Sequence, residues 1–406
     1  MIRLLNARAL ASVLLITSSA GGLFADDLLT EAITSGKVSF NTRVRYEHAD
    51  QTGLGDANAI TIRPRLGYTT GAYQGLQAMV EFENVTAIDG DSYSQAGINP
   101  GGAGRVVIAD PETTELNQAW LSYQSDKFLL KGGRQRIVLD NHRFIGDVGW
   151  RQNMQTYDAA TISGHPTDAL TVTYGYLWQV NRVFGEDHAQ GQFDSNSHLI
   201  NAAYQLAPTI VVTGYSFLLD FDNAAANSSA TYGLSVVGSH VFDEQKGAKL
   251  TYRLEYAYQD DYADQPVNYS ADYYAVEAGY AHGKLNAGIG YEVLGSDNGA
   301  KAFATPLATL HAFNGWADVF LGTPANGLED LYGWVGATLP GALGLRVIYH
   351  DFKSYSDSID YGTEWDIQLS KNIDKNWAAL LKVADFNSDS TLPDVTRYWA
   401  QVEFKF

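Results

Sequence analysis

VTRYWAQVEFKF, residues 395–406, ends the chain and alternates without a break. Tyr398, Ala400, Val402, Phe404 and Phe406 fall on one face; Arg397, Trp399, Gln401, Glu403 and Lys405 fall on the other. Successive side chains of a strand point to opposite sides, so the segment reads as a strand with one apolar and one charged face. Two settings suit it: the last strand of a soluble sandwich, or a strand of a membrane barrel whose faces meet lipid and water.

The other end narrows the choice. Arg3 and Arg8 precede the apolar run Ala9–Ile16, which is followed by small residues and then by Ala25 ahead of Asp26 and Asp27. That order is expected of a secretory signal peptide spanning residues 1–25, with cleavage after Ala20 as the alternative. Residues 26–406 then form one domain, since no linker or shift in composition interrupts them. No later stretch reaches the roughly 18 apolar residues of a membrane helix.

A mean hydropathy of -0.18 alone would suggest a soluble protein. Barrels escape such scans because lipid-facing and water-facing residues cancel in every window. The 25 Tyr and 8 Trp suit interfacial aromatic girdles, and 39 Gly against 10 Pro suits many strands with tight turns. With no cysteine, disulfides, thiolate metal sites and thiol nucleophiles are excluded. A formal charge of -19 argues against nucleic acid as a partner, because that surface must neutralise phosphates.

Alternation and turn residues predict about eighteen strands, to within two. They are placed at 37–48, 58–70, 75–85, 113–124, 127–136, 156–163, 169–179, 195–206, 209–221 and 230–241, then at 247–259, 270–282, 284–294, 329–339, 342–352, 359–371, 375–386 and 395–406. Short joins such as His282-Gly283 and Pro340-Gly341 alternate with long ones at 86–112, 180–194 and 295–328. The expected fold is an all-β, antiparallel, up-and-down transmembrane barrel with short periplasmic turns and long outer loops. Such a barrel is too wide for side chains alone to fill. The few residues before the first strand are too short for a plug domain, so an open channel narrowed by inward-folding loops is expected.

Two segments carry a resemblance. GRQRI (133–137), LDNHRFIG (139–146) and Trp150-Arg151-Gln152 form one; AFNGWAD (312–318), continuing through 323–332, forms the other. Both resemble blocks of the alginate export family of bacterial outer-membrane porins. The resemblance implies a monomeric eighteen-stranded barrel with an arginine-rich lumen that passes anionic sugars. The aromatic C-terminus, Phe404 and Phe406, is likewise similar to the signal by which outer-membrane barrels engage their assembly machinery. Outer-membrane lipid and lipopolysaccharide would then be further partners.

Candidate site residues follow from facing. Arg43, Arg45, Arg63 and Arg65 share the polar parity of the first two strands, and barrel closure adds Arg397 from the last, with Lys405 as a further candidate and Lys382 one strand on. A charge at the lipid midplane costs roughly 2–4 kcal/mol, so this basic wall is expected to line the pore. Internal pairing with Glu47, Glu81, Glu83 and Glu403 is the alternative. An acidic wall of Glu81, Glu83, Glu364 and Asp366 is expected to oppose it across the lumen. The 136–152 segment, with Arg136, Asp140, His142, Arg143 and Arg151, is expected to fold inward as the constriction, a surface loop being the other possibility. A bulge at Gly132-Gly133 is expected on the way into it, because Phe128 and Leu130 share parity with Arg134 and Arg136.

Enzymatic readings find little. The nine histidines show no paired metal spacing such as HExxH, and no cofactor is implied. His350 with Asp351 and Ser216 or Ser235 makes a triad on paper only. The best reading is a passive channel for small hydrophilic solutes, including anionic sugars or organic acids. The alternatives are an exporter of an anionic polysaccharide and a surface-binding barrel whose loops adhere.

Overall fold

A computed structural model describes residues 24–406. The leader expected at 1–25 lies almost wholly outside the described residues. A helix, α1 (Phe24–Thr34), precedes eighteen strands. They are β1 (Lys37–Gln51), β2 (Ala57–Thr69), β3 (Leu76–Ala87), β4 (Thr113–Gln124), β5 (Phe128–Gln135), β6 (Thr156–Thr167), β7 (Leu170–Asn181), β8 (Gln192–Ala207) and β9 (Ile210–Leu219). The second half comprises β10 (Ser229–Asp243), β11 (Ala248–Asp260), β12 (Ser270–His282), β13 (Leu285–Leu294), β14 (Leu328–Leu339), β15 (Leu343–Lys353), β16 (Asp360–Asn372), β17 (Trp377–Ser388) and β18 (Val395–Lys405).

Each strand pairs antiparallel with its sequence neighbours, and β1 pairs with β18 to close an 18-stranded sheet on itself. Closure leaves no unpaired edge, which is the condition for strands to cross hydrocarbon. One end carries short turns, as at 283–284, where Gly283 takes a φ of 61° that few other residues tolerate. The other end carries the long connections 88–112, 136–155 and 295–327. Short periplasmic and long extracellular connections are the orientation of outer-membrane barrels.

The two faces sort as the alternation requires. Leu254 and Tyr256 stand outward, 47% and 53% exposed where lipid would cover them, while Arg253 and Glu255 point into the lumen. One expected detail is corrected. The β4–β5 and β5–β6 ladders run through Gly132 and Gly133 without a register shift. Arg134 keeps the outward parity near the rim and is neutralised by Asp158 on β6, at 2.7 Å. Pairing resolved the conflict, not a bulge. The register shifts instead in β3–β4 between Glu81 and Phe82, and in β6–β7 between Asp158 and Ala159.

Candidate functional site

The 136–155 loop folds into the barrel and spans it. A backbone segment taken out of water must find partners for its carbonyls, and irregular loop supplies none of its own. The arginine wall supplies them. Arg43 donates to the Trp150 carbonyl at 3.0 Å, Arg45 donates to the same oxygen at 2.6 Å, and Arg65 donates to Gln152 O at 3.1 Å. Arg43 and Arg65 lie near the middle of their strands, so the loop reaches about mid-depth. Arg45 also lies flat against the Trp150 ring, 4.1 Å from its centroid. At its other end the loop inserts Phe144 among Tyr215, Phe217, Tyr273 and Phe303, with ring centroids 5.1–6.0 Å away. Those partners include the inner faces of β9 and β12, across the barrel from β1. The loop is a bridge with a polar seat on one wall and an apolar seat on the other.

The 295–327 loop packs beside it and uses the wall's carboxylates in the complementary sense. Glu364 accepts from Ala317 N at 2.7 Å and Asp366 from Trp316 N at 3.2 Å. Guanidinium groups thus satisfy loop carbonyls, and carboxylates satisfy loop amides. The approach needs Gly315, whose φ is 84° and where a Cβ would meet the Glu364 carboxylate at 2.3 Å.

Both loops meet the wall in one ion network. Arg151 contacts Glu47 at 2.9 Å and Asp318 at 2.6 Å; Glu47 also holds Arg397 at 3.1 Å, and Arg397 donates to Ala317 O at 2.9 Å. Lys382 donates to His311 Nε2 at 2.7 Å, so that ring donates from Nδ1 to Asp318, also at 2.7 Å. The Lys382 ammonium sits over Trp316 at 3.5 Å and Trp150 at 4.4 Å. Burial, reinforced by Lys382, pushes the His311 pKa down to about 3. Asp318, beside His311 and Arg151, is held well below the usual carboxylate range. The ring is therefore neutral at neutral pH.

The basic wall faces inward but is covered. Arg45, Arg63, Arg65, Arg397 and Lys382 are all buried, and Arg43 is nearly so. The physical reason is charge pairing: Arg43 with Glu403, Arg45 with Asp110, and both Arg65 and Arg63 with Glu83. Lys405 is exposed at the periplasmic rim. The acidic residues do not oppose this wall. Glu83 lies on β3, directly across the ladder from Arg65 on β2, Glu81 is held by Asn117 and Gln118, and Glu364 and Asp366 lie on β16 next to the Lys382 strand. The two sets lie on neighbouring strands of one strip from β16 through β18 and β1 to β3, with ion pairs across β18–β1 and β2–β3.

Of the loop residues, Arg143 is buried against Glu292 at 2.7 Å and Asn314 at 3.2 Å, and Arg151 is the hub just described. Arg136, paired with Asp147, stays half-exposed; His142 is partly open; Asp140 is exposed and accepts from Asn201 on β8 at 2.7 Å. Below the bridge the inner wall meets water, as shown by inward-facing Val237, 48% exposed, and by exposed Ser39, Gln205, Thr251, Asn286 and Arg346. Sequence reasoning missed Asp110, Asp318, His311, Glu292 and Phe144, all from loops or rim positions. The signal for them was apolar content in outer loops: Phe303, Leu307, Trp316 and Phe320 are too many aromatic and aliphatic residues for a solvated segment. The paper triad does not assemble, because His350 and Asp351 are adjacent on β15 and face opposite ways; His350 bonds Asp330 at 2.8 Å instead. Among the described residues, no group of three or more potential ligands is placed to hold a metal.

Known proteins agree with this architecture. OccAB2 of Acinetobacter baumannii aligns with a TM-score of 0.72 at 15% identity, over 93% of this chain and 99% of that one. OccK9 (OpdG) of Pseudomonas aeruginosa gives 0.72 at 14%, over 92% and 100%, and OpdK of the same organism, solved with vanillate, gives 0.70 at 13%, over 92% and 99%. At such identities the likeness is one of fold, that of outer-membrane porins. No curated relative matches the sequence. The family model described as alginate export matches residues 35–293, well over half of the chain and including the first of the two sequence blocks, so this protein belongs to the alginate export family of outer-membrane β-barrels.

Proposed function

We propose that the chain is a passive outer-membrane channel for small hydrophilic solutes, and that the 136–155 bridge is its constriction. The observation that carries the proposal is the bridge itself. It crosses a water-exposed lumen at mid-depth, seated on both walls, and leaves Arg136, Asp140 and His142 in contact with water beside the gap. A solute passing there meets charges of both signs within reach of one another, an arrangement that orients dipolar or zwitterionic molecules and small organic acids. OpdK, with a similar fold, was solved with the small aromatic acid vanillate. Polysaccharide export has the family description in its favour, but both inward-folded loops stand in the path that a polymer would take. The reading assigns no reaction to the chain.

Planar-bilayer recording tests the proposal. Small, uniform steps are expected, with reversal potentials in a salt gradient that change on Arg136→Ala or Asp140→Asn. Absence of any steps across salts would remove the channel reading. Steps whose selectivity ignores both substitutions would leave a channel but remove the bridge as its filter.

A further inference from the structure

We infer that α1 is a membrane-surface helix, lying in the periplasmic leaflet of the outer membrane with its apolar stripe in phospholipid. Successive residues of a helix are turned by ~100°, which places Leu28, Ala32, Leu29 and Ile33 on one arc and Asp27, Thr30, Glu31 and Thr34 on the other. Among the described side chains of the apolar arc Ala32 is buried, while Leu28, Leu29 and Ile33 are 53%, 46% and 51% exposed. Three large apolar side chains turned out of a helix this short need an occupant.

The position of the helix names that occupant. Gly71 N, in the periplasmic turn after β2, donates to Ala32 O at 2.7 Å, and the Tyr68 hydroxyl donates to the Ile33 carbonyl. Tyr68 has the parity of Ile60, Ile62 and Leu66, which is the lipid-facing parity of β2. The helix is therefore tied to the outside of the barrel wall at its periplasmic margin, not to the lumen. On the same outward face as Tyr68 stand Leu66 and, across the ladder from Tyr68, Val38, both 55% exposed. The helix is thus tied to the wall at the margin of its lipid-facing belt. A tyrosine with its ring toward lipid and its hydroxyl on a polar carbonyl is the usual interfacial anchor. The acidic opposite arc favours a zwitterionic phospholipid over an anionic one.

The absence of cysteine allows a clean test. Single cysteines at Leu29, Ile33, Thr30 and Thr34, with Leu254→Cys as a lipid-facing reference, are introduced into protein purified from outer membranes and carry a nitroxide after reconstitution in phosphatidylcholine vesicles. Oxygen, which partitions into lipid, is expected to relax the labels at 29 and 33 several-fold more, relative to a water-soluble nickel chelate, than those at 30 and 34. Equal and nickel-dominated relaxation at all four sites, with Leu254→Cys still oxygen-dominated, would overturn the inference. So would oxygen-dominated relaxation at all four, which would mean a buried helix and not an interfacial one. Heat-modifiable gel mobility verifies that each variant has folded, so a misfolded variant is replaced by Leu28→Cys on the same stripe.

Discussion

The two seats of the 136–155 bridge do the same job by different physics. On β1 and β2 the loop is held by guanidinium groups aimed at its carbonyls; on β9 and β12 it is held by Phe144 among four aromatic rings. The polar seat is directional. The arginines converge on the carbonyls of residues 149–152, so they set the register of the loop against the wall and tolerate little change. The apolar seat contributes through area and shape, and tolerates similar side chains. Charges on an inner wall can thus serve as mortar instead of as a filter, and only their burial and pairing distinguish the two uses.

Four changes would break or sharpen that contrast. Arg151→Ala should act most strongly, because it removes the buried cation that Glu47 and Asp318 share and leaves them to Arg397 and to the His311 ring alone; about 3–5 kcal/mol is expected, measured by urea unfolding in vesicles, together with noisier and larger conductance. Phe144→Ala should cost less, about 2–3 kcal/mol, since it leaves a cavity but no unpaired charge and the ring is only partly buried. Phe144→Leu should recover most of that loss, whereas Arg151→Lys should recover little; equal rescue at both seats would erase the distinction.

Acid should loosen the second loop. The folded pKa of His311, about 3, lies below its ordinary value near 6.5, so the stability it lends is complete above pH 6.5 and is lost as pH falls toward 3. Protonation would set an imidazolium against the Lys382 ammonium. Growing current noise across that window is expected, and His311→Gln, which accepts and donates without titrating, should flatten the response. A wild-type trace unchanged down to pH 3 would place the loop's hold elsewhere. Arg63→Met should matter least. Two of the Arg63 nitrogens, Nε and Nη1, have no hydrogen-bond partner among the described residues, and Glu83 keeps Arg65, so a change within about 1 kcal/mol and unaltered conductance are expected. A large shift in selectivity would restore Arg63 to the pore.

The barrel was legible because period-two alternation is a local property, visible in Val402-Glu403-Phe404-Lys405 or in Leu254-Glu255-Tyr256 without knowledge of any other residue. The inward direction of the arginines was legible for the same reason. Their covering was not, because parity says which side a residue faces and nothing about what lies there. Arg45 is buried by Trp150 and Asp110, residues far from it in sequence and both in loops. The opposition expected of Glu83 and Arg65 failed for a related reason: strands three and two are neighbours, so charges of opposite sign at matching heights pair across one ladder before they can act across a lumen.

Closure of the sheet has a temporal consequence. Asn41 sits opposite Lys405, and Phe40 and Phe406 exchange backbone hydrogen bonds, so the first strand completes its pairing only when β18, the eighteenth strand in order, has joined it. The Arg43–Glu403 and Glu47–Arg397 pairs straddle that seam. Until β18 arrives, the first strand offers a bare edge, Glu47 lacks Arg397, and the arginines meant for the bridge have only part of their cradle. Contacts of such sequence separation are slow to form. The loops can therefore take their seats only after the cylinder has shut.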